Sequence, residues 1–231
     1  MTALFFDIET IPSQAPGALE QVRAVIKPPA QFKRADSIAA WHAEHGDEAA
    51  EDAYRKMALS PSEGEVCAIG YAVEDDPVSC LVRGIGETER DFLARALGAV
   101  EAGLYPWRSD TDPLLCGHNL AAFDAPFLRA RLWANRLPLP RWLPGAMARH
   151  PRELIDTMIA FCGPRDRISL DRLCKALRVP SPKADGTTGA DVFGLWREGR
   201  HEELGLYCMG DVQAVRSVWH VMTGAAVEAA A

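Results

Sequence analysis

Apolar positions along the chain switch between a period of two and a period near 3.6, and the switches mark out alternating strands and helices. Ala3 to Ile8 is a short apolar run closing on acids, the pattern of a buried strand whose end reaches a site. Pro12, Pro16 and Gly17 break it. Residues 18–59 show no alternation, are rich in Ala and Glu and contain Pro28-Pro29, which predicts two helical pieces inserted after the first strand. Val66 to Val73 and Ser79 to Val82 read as strands of a hairpin turning through Glu74-Asp75-Asp76-Pro77. Glu87 to Glu101 has helical spacing, with Phe92, Leu93, Ala96, Leu97 and Val100 on one face.

Pro113 to Cys116 predicts another buried strand, ending at Gly117-His118-Asn119, and residues 124–135 a helix. Four prolines between Arg136 and Pro151 forbid regular structure there, so this is a long loop in which Trp142 reads as a packing anchor rather than a platform for a base. Glu153 to Phe161 fits a strand or a short helix. Ser169 opens a capped helix, and two more, at about 188–198 and 201–223, complete the pattern. The expected organisation is one α/β domain over residues 1–231 with a mainly helical insertion at about 11–60.

Composition narrows the class. At 48% hydrophobic residues the chain is not disordered, and no run approaches the ~18 apolar residues of a membrane span. Its first residues reach Asp7 without a basic segment, which excludes a secretory signal and predicts a cytoplasmic protein. Six cysteines at scattered spacings, without a C-x-x-C pair, read as reduced core thiols. The net charge of −7 argues against a surface that coats DNA. That average hides a segment from Arg129 to Lys183 with 12 basic residues against four acids, an electropositive track if the acids elsewhere hold metal.

Three short strings carry the candidate chemistry. Asp7-Ile8-Glu9 sets two carboxylates two apart at a strand end, where a period of two turns both to one face. Asn119-Leu120-Ala121-Ala122-Phe123-Asp124 follows a strand and opens a helix, and its N-x-x-x-F-D pattern is rare by chance. An acid at that position also caps a helix, a role compatible with metal binding. Tyr207-Cys208-Met209-Gly210-Asp211 lies in the last helix, where a separation of four puts phenol and carboxylate on one face.

Four carboxylates in one place repel by about 4 kcal/mol per pair at 4 Å and an effective dielectric of 20, so the cluster needs cations. Hard oxygen donors without His or Cys favour Mg²⁺ or Mn²⁺ over zinc. Two such ions about 4 Å apart can activate water and take up charge on a leaving 3′ oxygen, which is the chemistry of phosphodiester hydrolysis.

Taken in order, FDIET at 5–9, NLAAFD at 119–124 and YCMGD at 207–211 resemble the three motifs of the DEDD 3′-5′ exonucleases. Asp7, Glu9, Asp124 and Asp211 match the four acids and Tyr207 the tyrosine of the DEDDy subgroup; the histidine subgroup would place His where Leu206 stands. The chain is most similar to predicted exonucleases related to the proofreading domain of family B DNA polymerases. The resemblance implies a ribonuclease H-like fold, an α/β mixed five-stranded sheet flanked by helices. It implies that Asp7, Glu9 and Asp124 hold the tighter of two Mg²⁺ or Mn²⁺ ions, that Asp7 and Asp211 complete the metal sphere, and that Tyr207 orients water or phosphate.

The expected activity is 3′-5′ hydrolysis at single-stranded nucleic-acid 3′ ends, with DNA preferred over RNA and 5′-monophosphates released. With no room for a polymerase in this sequence, the enzyme would act alone or with a protein partner, and away from membranes. Asn119, Phe123, His118 and Lys183 are the candidates for substrate contact, although a His beside a strand end, as at His118, is more often a satisfied structural residue, and Lys183 equally suits an ordinary surface lysine. Two other readings are a non-catalytic nucleic-acid-binding module, which would bind without metal-dependent turnover, and an RNase H-like endonuclease, which would cut a circular strand.

Overall fold

Phe5 and Phe6 are both buried, on opposite faces of one strand, and the two cores of the molecule form around that alternation. The computed structural model describes residues 2–107, 112–148, 150–182 and 186–224. They form two compact units, residues 1–9 with 66–231, and residues 10–65.

In chain order the first strand is β1 (Ala3–Pro12), followed by α1 (Ala18–Val25), α2 (Ala35–Lys56), β2 (Gly64–Val73), β3 (Ser79–Val82), α3 (Glu89–Leu104), β4 (Leu114–Gly117) and α4 (Asp124–Ala134). The chain continues through β5 (Leu154–Asp156), α5 (Thr157–Cys162), α6 (Leu170–Leu177), α7 (Val192–Arg197) and α8 (His201–Thr223). The five strands make one mixed sheet in the order β3-β2-β1-β4-β5. β4 runs parallel to β1 with Phe5 beside Cys116, and β5 parallel to β4 with Cys116 beside Ile155. β3 is antiparallel to β2 with Gly70 beside Cys80. The Glu74 amide donates to the Ala3 carbonyl at 3.0 Å, which sets the end of β2 beside the start of β1, so these two also run in opposite directions.

On one face of the sheet Leu4, Phe6 and Ile8 pack with Phe92, Leu93, Ala96 and Val100 of α3 and Phe127, Leu128 and Leu132 of α4. On the other face Phe5 packs with Ala72, Cys116, Ile155 and the α8 residues Val212 and Val215. Ala214 and Val218 of α8 meet Leu173 and Cys174 of α6 in a further cluster. Gly70 lets α8 approach β2 closely: a Cβ there would lie 2.7 Å from Cys208 Sγ and 2.9 Å from Val212. A buried ion pair ties α3 to α4, with Arg131 and Glu89 at 2.6 Å; Glu89 also accepts from the Val66 amide at 2.8 Å and the Asn135 amide at 2.6 Å.

Within residues 10–65, α1 and α2 form a helical pair bridged by Arg23 and Asp47 at 2.8 Å. The Tyr54 hydroxyl donates to the Ser13 carbonyl at 2.8 Å and Trp41 is buried between the rings of Phe32 and His42. The two predicted helical pieces are these.

Other elements refine the sequence reading. Glu153 to Phe161 is both things it suggested, since β5 hands over to α5 at Asp156. The helix expected from about 188 starts at Val192, because Thr188 donates through its amide (2.9 Å) and hydroxyl (2.8 Å) to the Asp191 carboxylate and makes a turn instead. In the proline-rich loop Trp142 is buried against Phe6 with ring centroids 5.4 Å apart, a packing anchor as expected. The cysteines among the described residues are all free thiols, and no described helix is long and apolar enough to cross a membrane.

Candidate active site

β4 stops at Gly117 while β1, its parallel partner, continues to Pro12. Asp7 and Glu9 therefore sit just past the carboxyl end of β4, where an open α/β sheet presents its crevice. Both share the face of Phe5, the face covered by α8. Gly117 permits the crossing, since a Cβ would lie 3.0 Å from the Phe6 carbonyl and 3.0 Å from the Leu120 side chain.

Asp124 arrives from the other side of the strand. The turn 119–123 opens α4 with Asn119 in the left-handed region at φ 58, and the Ala122 and Phe123 amides donate back to the Asn119 carbonyl. Asp124 is the first residue of α4, where an acid complements the helix dipole. Pro126 is tolerated because an amide in the first turn has no helical acceptor. The Ile8 amide donates to Asp124 Oδ1 at 3.1 Å, so the residue between Asp7 and Glu9 is hydrogen bonded to the third acid.

One buried carboxylate organises this turn. Asp156 accepts from the amides of Asn119 (3.1 Å), Ala121 (3.0 Å), Met158 (3.0 Å) and Ile159 (3.3 Å), so it caps α5 and holds the approach to Asp124 together. Nothing in the local sequence around Asp156 signals the number of amides it serves.

α8 supplies the remaining groups. Tyr207 is buried, its hydroxyl is hydrogen bonded to the Asp211 side chain, and its pKa is raised by burial and by the charges of Asp211, Glu9 and Asp7. Asp7 is held well above the usual carboxylate range by burial first, then by Asp124, Glu9 and Asp211. Asp124 is pushed up to about 7, chiefly by burial and also by Asp156 and Asp211, against the lowering effect of the Ile8 amide. Each of the four acids thus lies within the electrostatic reach of others in the set. The tightest group of donors among the described residues is Asp7, Glu9 and Cys208, whose ligand atoms lie within 4.8 Å of one another. Cys208 is the feature the sequence reading passed over: inside YCMGD it looked like core, yet its Sγ donates to Asp7 Oδ2 at 3.8 Å. No spacing rule signals that contact, which depends on the missing side chain of Gly70.

A set of buried and half-buried, mutually repelling carboxylates fits hard divalent cations, which would offset both the burial and the repulsion that raise Asp7 and Asp124. Sulfur is the softer donor and adds little to Mg²⁺ binding.

The four residues expected to touch substrate divide. Asn119 stays at the turn, its Oδ1 accepting from Arg167 at 2.9 Å. Phe123 precedes Asp124 and packs on Phe127 at 5.4 Å between ring centroids. His118 uses both ring nitrogens inside the fold, Nδ1 with the Thr157 hydroxyl at 3.0 Å and Nε2 with the Ile168 carbonyl at 2.9 Å, and burial lowers its pKa. That bonding corrects its reading as a substrate contact, since neither nitrogen is left for a ligand. Lys183 lies outside the described residues.

A family model described as predicted 3′-5′ exonucleases related to the exonuclease domain of PolB matches residues 64–225. The chain belongs to this family. The matched span includes Asp124, Tyr207 and Asp211; Asp7 and Glu9 precede it, and their membership of the site rests on the sheet geometry above. Among solved structures, the family B DNA polymerase of the hyperthermophilic archaeon Pyrobaculum calidifontis is similar at a TM-score of 0.58 and 17% identity, over 93% of this chain. This chain spans 23% of that polymerase, and at this identity the likeness speaks for the fold, the ribonuclease H-like mixed sheet flanked by helices. No curated protein sequence matches the chain.

Proposed function

We propose that the protein is a metal-dependent 3′-5′ exonuclease that hydrolyses phosphodiester bonds at single-stranded 3′ ends, DNA in preference to RNA, and releases 5′-monophosphates. Residues 10–65 are, in this reading, an insertion into one exonuclease domain. The observation that carries it is the meeting of Asp7, Glu9, Asp124 and Asp211, from two ends of the chain and its middle, with Tyr207 bonded to the last of them.

Asp7, Glu9, Asp124 and Asp211 would hold two Mg²⁺ or Mn²⁺ ions. When bound, such ions supply Lewis-acid activation of the attacking water and charge stabilisation at the leaving 3′ oxygen. Tyr207 keeps its proton at neutral pH, because its neighbours are anionic and its pKa is raised, so it serves as a hydrogen-bond donor that orients water or phosphate and not as a general base. Asp156 contributes by holding the 119–124 turn, and Asn119 and Phe123 stand on that turn beside Asp124.

The test is product analysis with 5′-labelled single-stranded DNA and the matching RNA in Mn²⁺. A ladder shortening from the 3′ end, abolished by Asp7→Ala, is the expected result. Intact oligonucleotides in both Mg²⁺ and Mn²⁺ would sink the proposal, and cleavage of a circular single strand would replace it with an endonuclease.

A further inference from the structure

Two successive residues of the turn beside Asp124 are bonded to two successive residues of the loop before α6. His118 Nε2 meets the Ile168 carbonyl at 2.9 Å, and Arg167 Nη1 donates to Asn119 Oδ1 at 2.9 Å. The first contact is internal and partly buried; it is backed by the Thr157 hydroxyl on the other ring nitrogen, so the backbone at 168 is held against the end of β4. Arg167 is exposed, yet its backbone neighbour is anchored.

The chemistry left over is one-sided. Oδ1 already accepts from Arg167, and the amide NH₂ of Asn119 adds two donors. A guanidinium carries five N–H groups and no acceptor, and one nitrogen of Arg167 is engaged with Asn119. The pair therefore offers chiefly donors, those of Arg167 on a full positive charge, next to a cluster of carboxylates that a polyanion approaches only through cations. Arg167 also belongs to the basic segment between Arg129 and Lys183, whose track had no assigned end.

We infer that Arg167 binds the backbone of the incoming single strand and positions Asn119, fixing the Asn119 amide with its NH₂ toward the terminal nucleotide while its remaining N–H groups take phosphate oxygens upstream of the scissile bond. The inference rests on the exonuclease reading and deepens it. Arg167 acts on affinity for a strand, not on the hydrolytic step.

The experiment compares wild type, Arg167→Gln and Arg167→Lys on two substrates in Mn²⁺: a single-stranded oligonucleotide and the p-nitrophenyl ester of thymidine 5′-monophosphate, which has a phosphodiester but no upstream phosphate. Arg167→Gln is expected to raise KM for the oligonucleotide by about tenfold with kcat within about twofold, and to lower the slope of log(kcat/KM) against log salt by about one. For the nitrophenyl ester, which still meets Asn119 but has no upstream phosphate, it should raise KM by no more than about threefold, with kcat and the salt slope unchanged. Arg167→Lys should restore the salt slope, because the charge returns, but only part of the KM, because an ammonium lacks the planar fork. Equal oligonucleotide kinetics in Arg167→Gln and wild type would overturn the inference, as would an equal loss on both substrates, which marks a distorted site. Wild type that hydrolyses neither substrate would defeat the exonuclease reading itself, and this inference with it.

Discussion

The amide of Ile8 is hydrogen bonded to the carboxylate of Asp124 at 3.1 Å, joining the middle of D-x-E on β1 to the first residue of α4. The bond uses one oxygen of Asp124 as an acceptor, a role that an asparagine carbonyl can also fill. Asp124→Asn should therefore fold with a melting temperature close to wild type while nuclease activity falls by about 10³-fold, the scale of removing an electrostatic element of a reaction centre. Parallel thermal melts and oligonucleotide assays check it; an active Asp124→Asn would remove this residue from the metal set.

The raised pKa values of Asp7 and Asp124 set a pH dependence of stability in the absence of metal. A carboxyl raised in the folded state binds protons more tightly there than in the unfolded chain, so its contribution favours folding below the ordinary value near 3.8 and is lost as pH rises through about 7 for Asp124. In chelator, the melting temperature should fall as pH goes from 5 to 8. Mn²⁺ should raise it more at pH 8 than at pH 5, since cations relieve the repulsion only where the carboxyls are ionised. A metal increment independent of pH would contradict the electrostatic account.

Tyr207→Phe removes the hydroxyl bonded to Asp211 and leaves the buried ring in place. Activity should drop by about 10²-fold with little change in stability. Since the phenol remains protonated, the wild-type rate should show no alkaline limb assignable to Tyr207 between pH 7 and 9. A pH–rate comparison of the two proteins decides this.

Gly70→Ala tests how tightly α8 must sit. The added methyl would meet Cys208 Sγ at 2.7 Å and Val212 at 2.9 Å, so it should cost about 1–3 kcal/mol and reduce activity by shifting the helix that carries Tyr207 and Asp211. Cys208→Ala, by making room, should recover part of the lost stability. Chemical denaturation of both single variants and the double variant measures that coupling.

Glu89→Ala would leave Arg131 without its carboxylate in a largely buried position and strand the Val66 amide. A loss of about 3–5 kcal/mol in unfolding free energy is expected, read from urea denaturation. A loss below about 1 kcal/mol would mean that water replaces the partner.

Much of this was legible in the sequence because it follows from periodicity. A strand's alternation set Asp7 and Glu9 on one face with Phe5, and a helix's repeat put Tyr207 over Asp211. What escaped was non-local. Asp156 collects amides from residues 119, 121, 158 and 159, and only the parallel pairing of β4 with β5 brings them to it. The bonds from His118 and Asn119 to residues 168 and 167 depend on how a loop folds back, and Cys208 reaches Asp7 through space vacated at Gly70. Residues 10–65 were readable as helical, but their compactness as a separate unit was not, because neither helix has a strong enough pattern to name its partner.

The hydrogen bond from Cys208 to Asp7 closes a separation of 201 residues. During synthesis the two acids on the first strand emerge long before the helix that completes their surroundings, so a nascent or prematurely terminated polypeptide holds only part of the proposed ligand set. On the proposed reading, a chain that ends short of α8 could not complete the metal set, because Tyr207 and Asp211 would be missing.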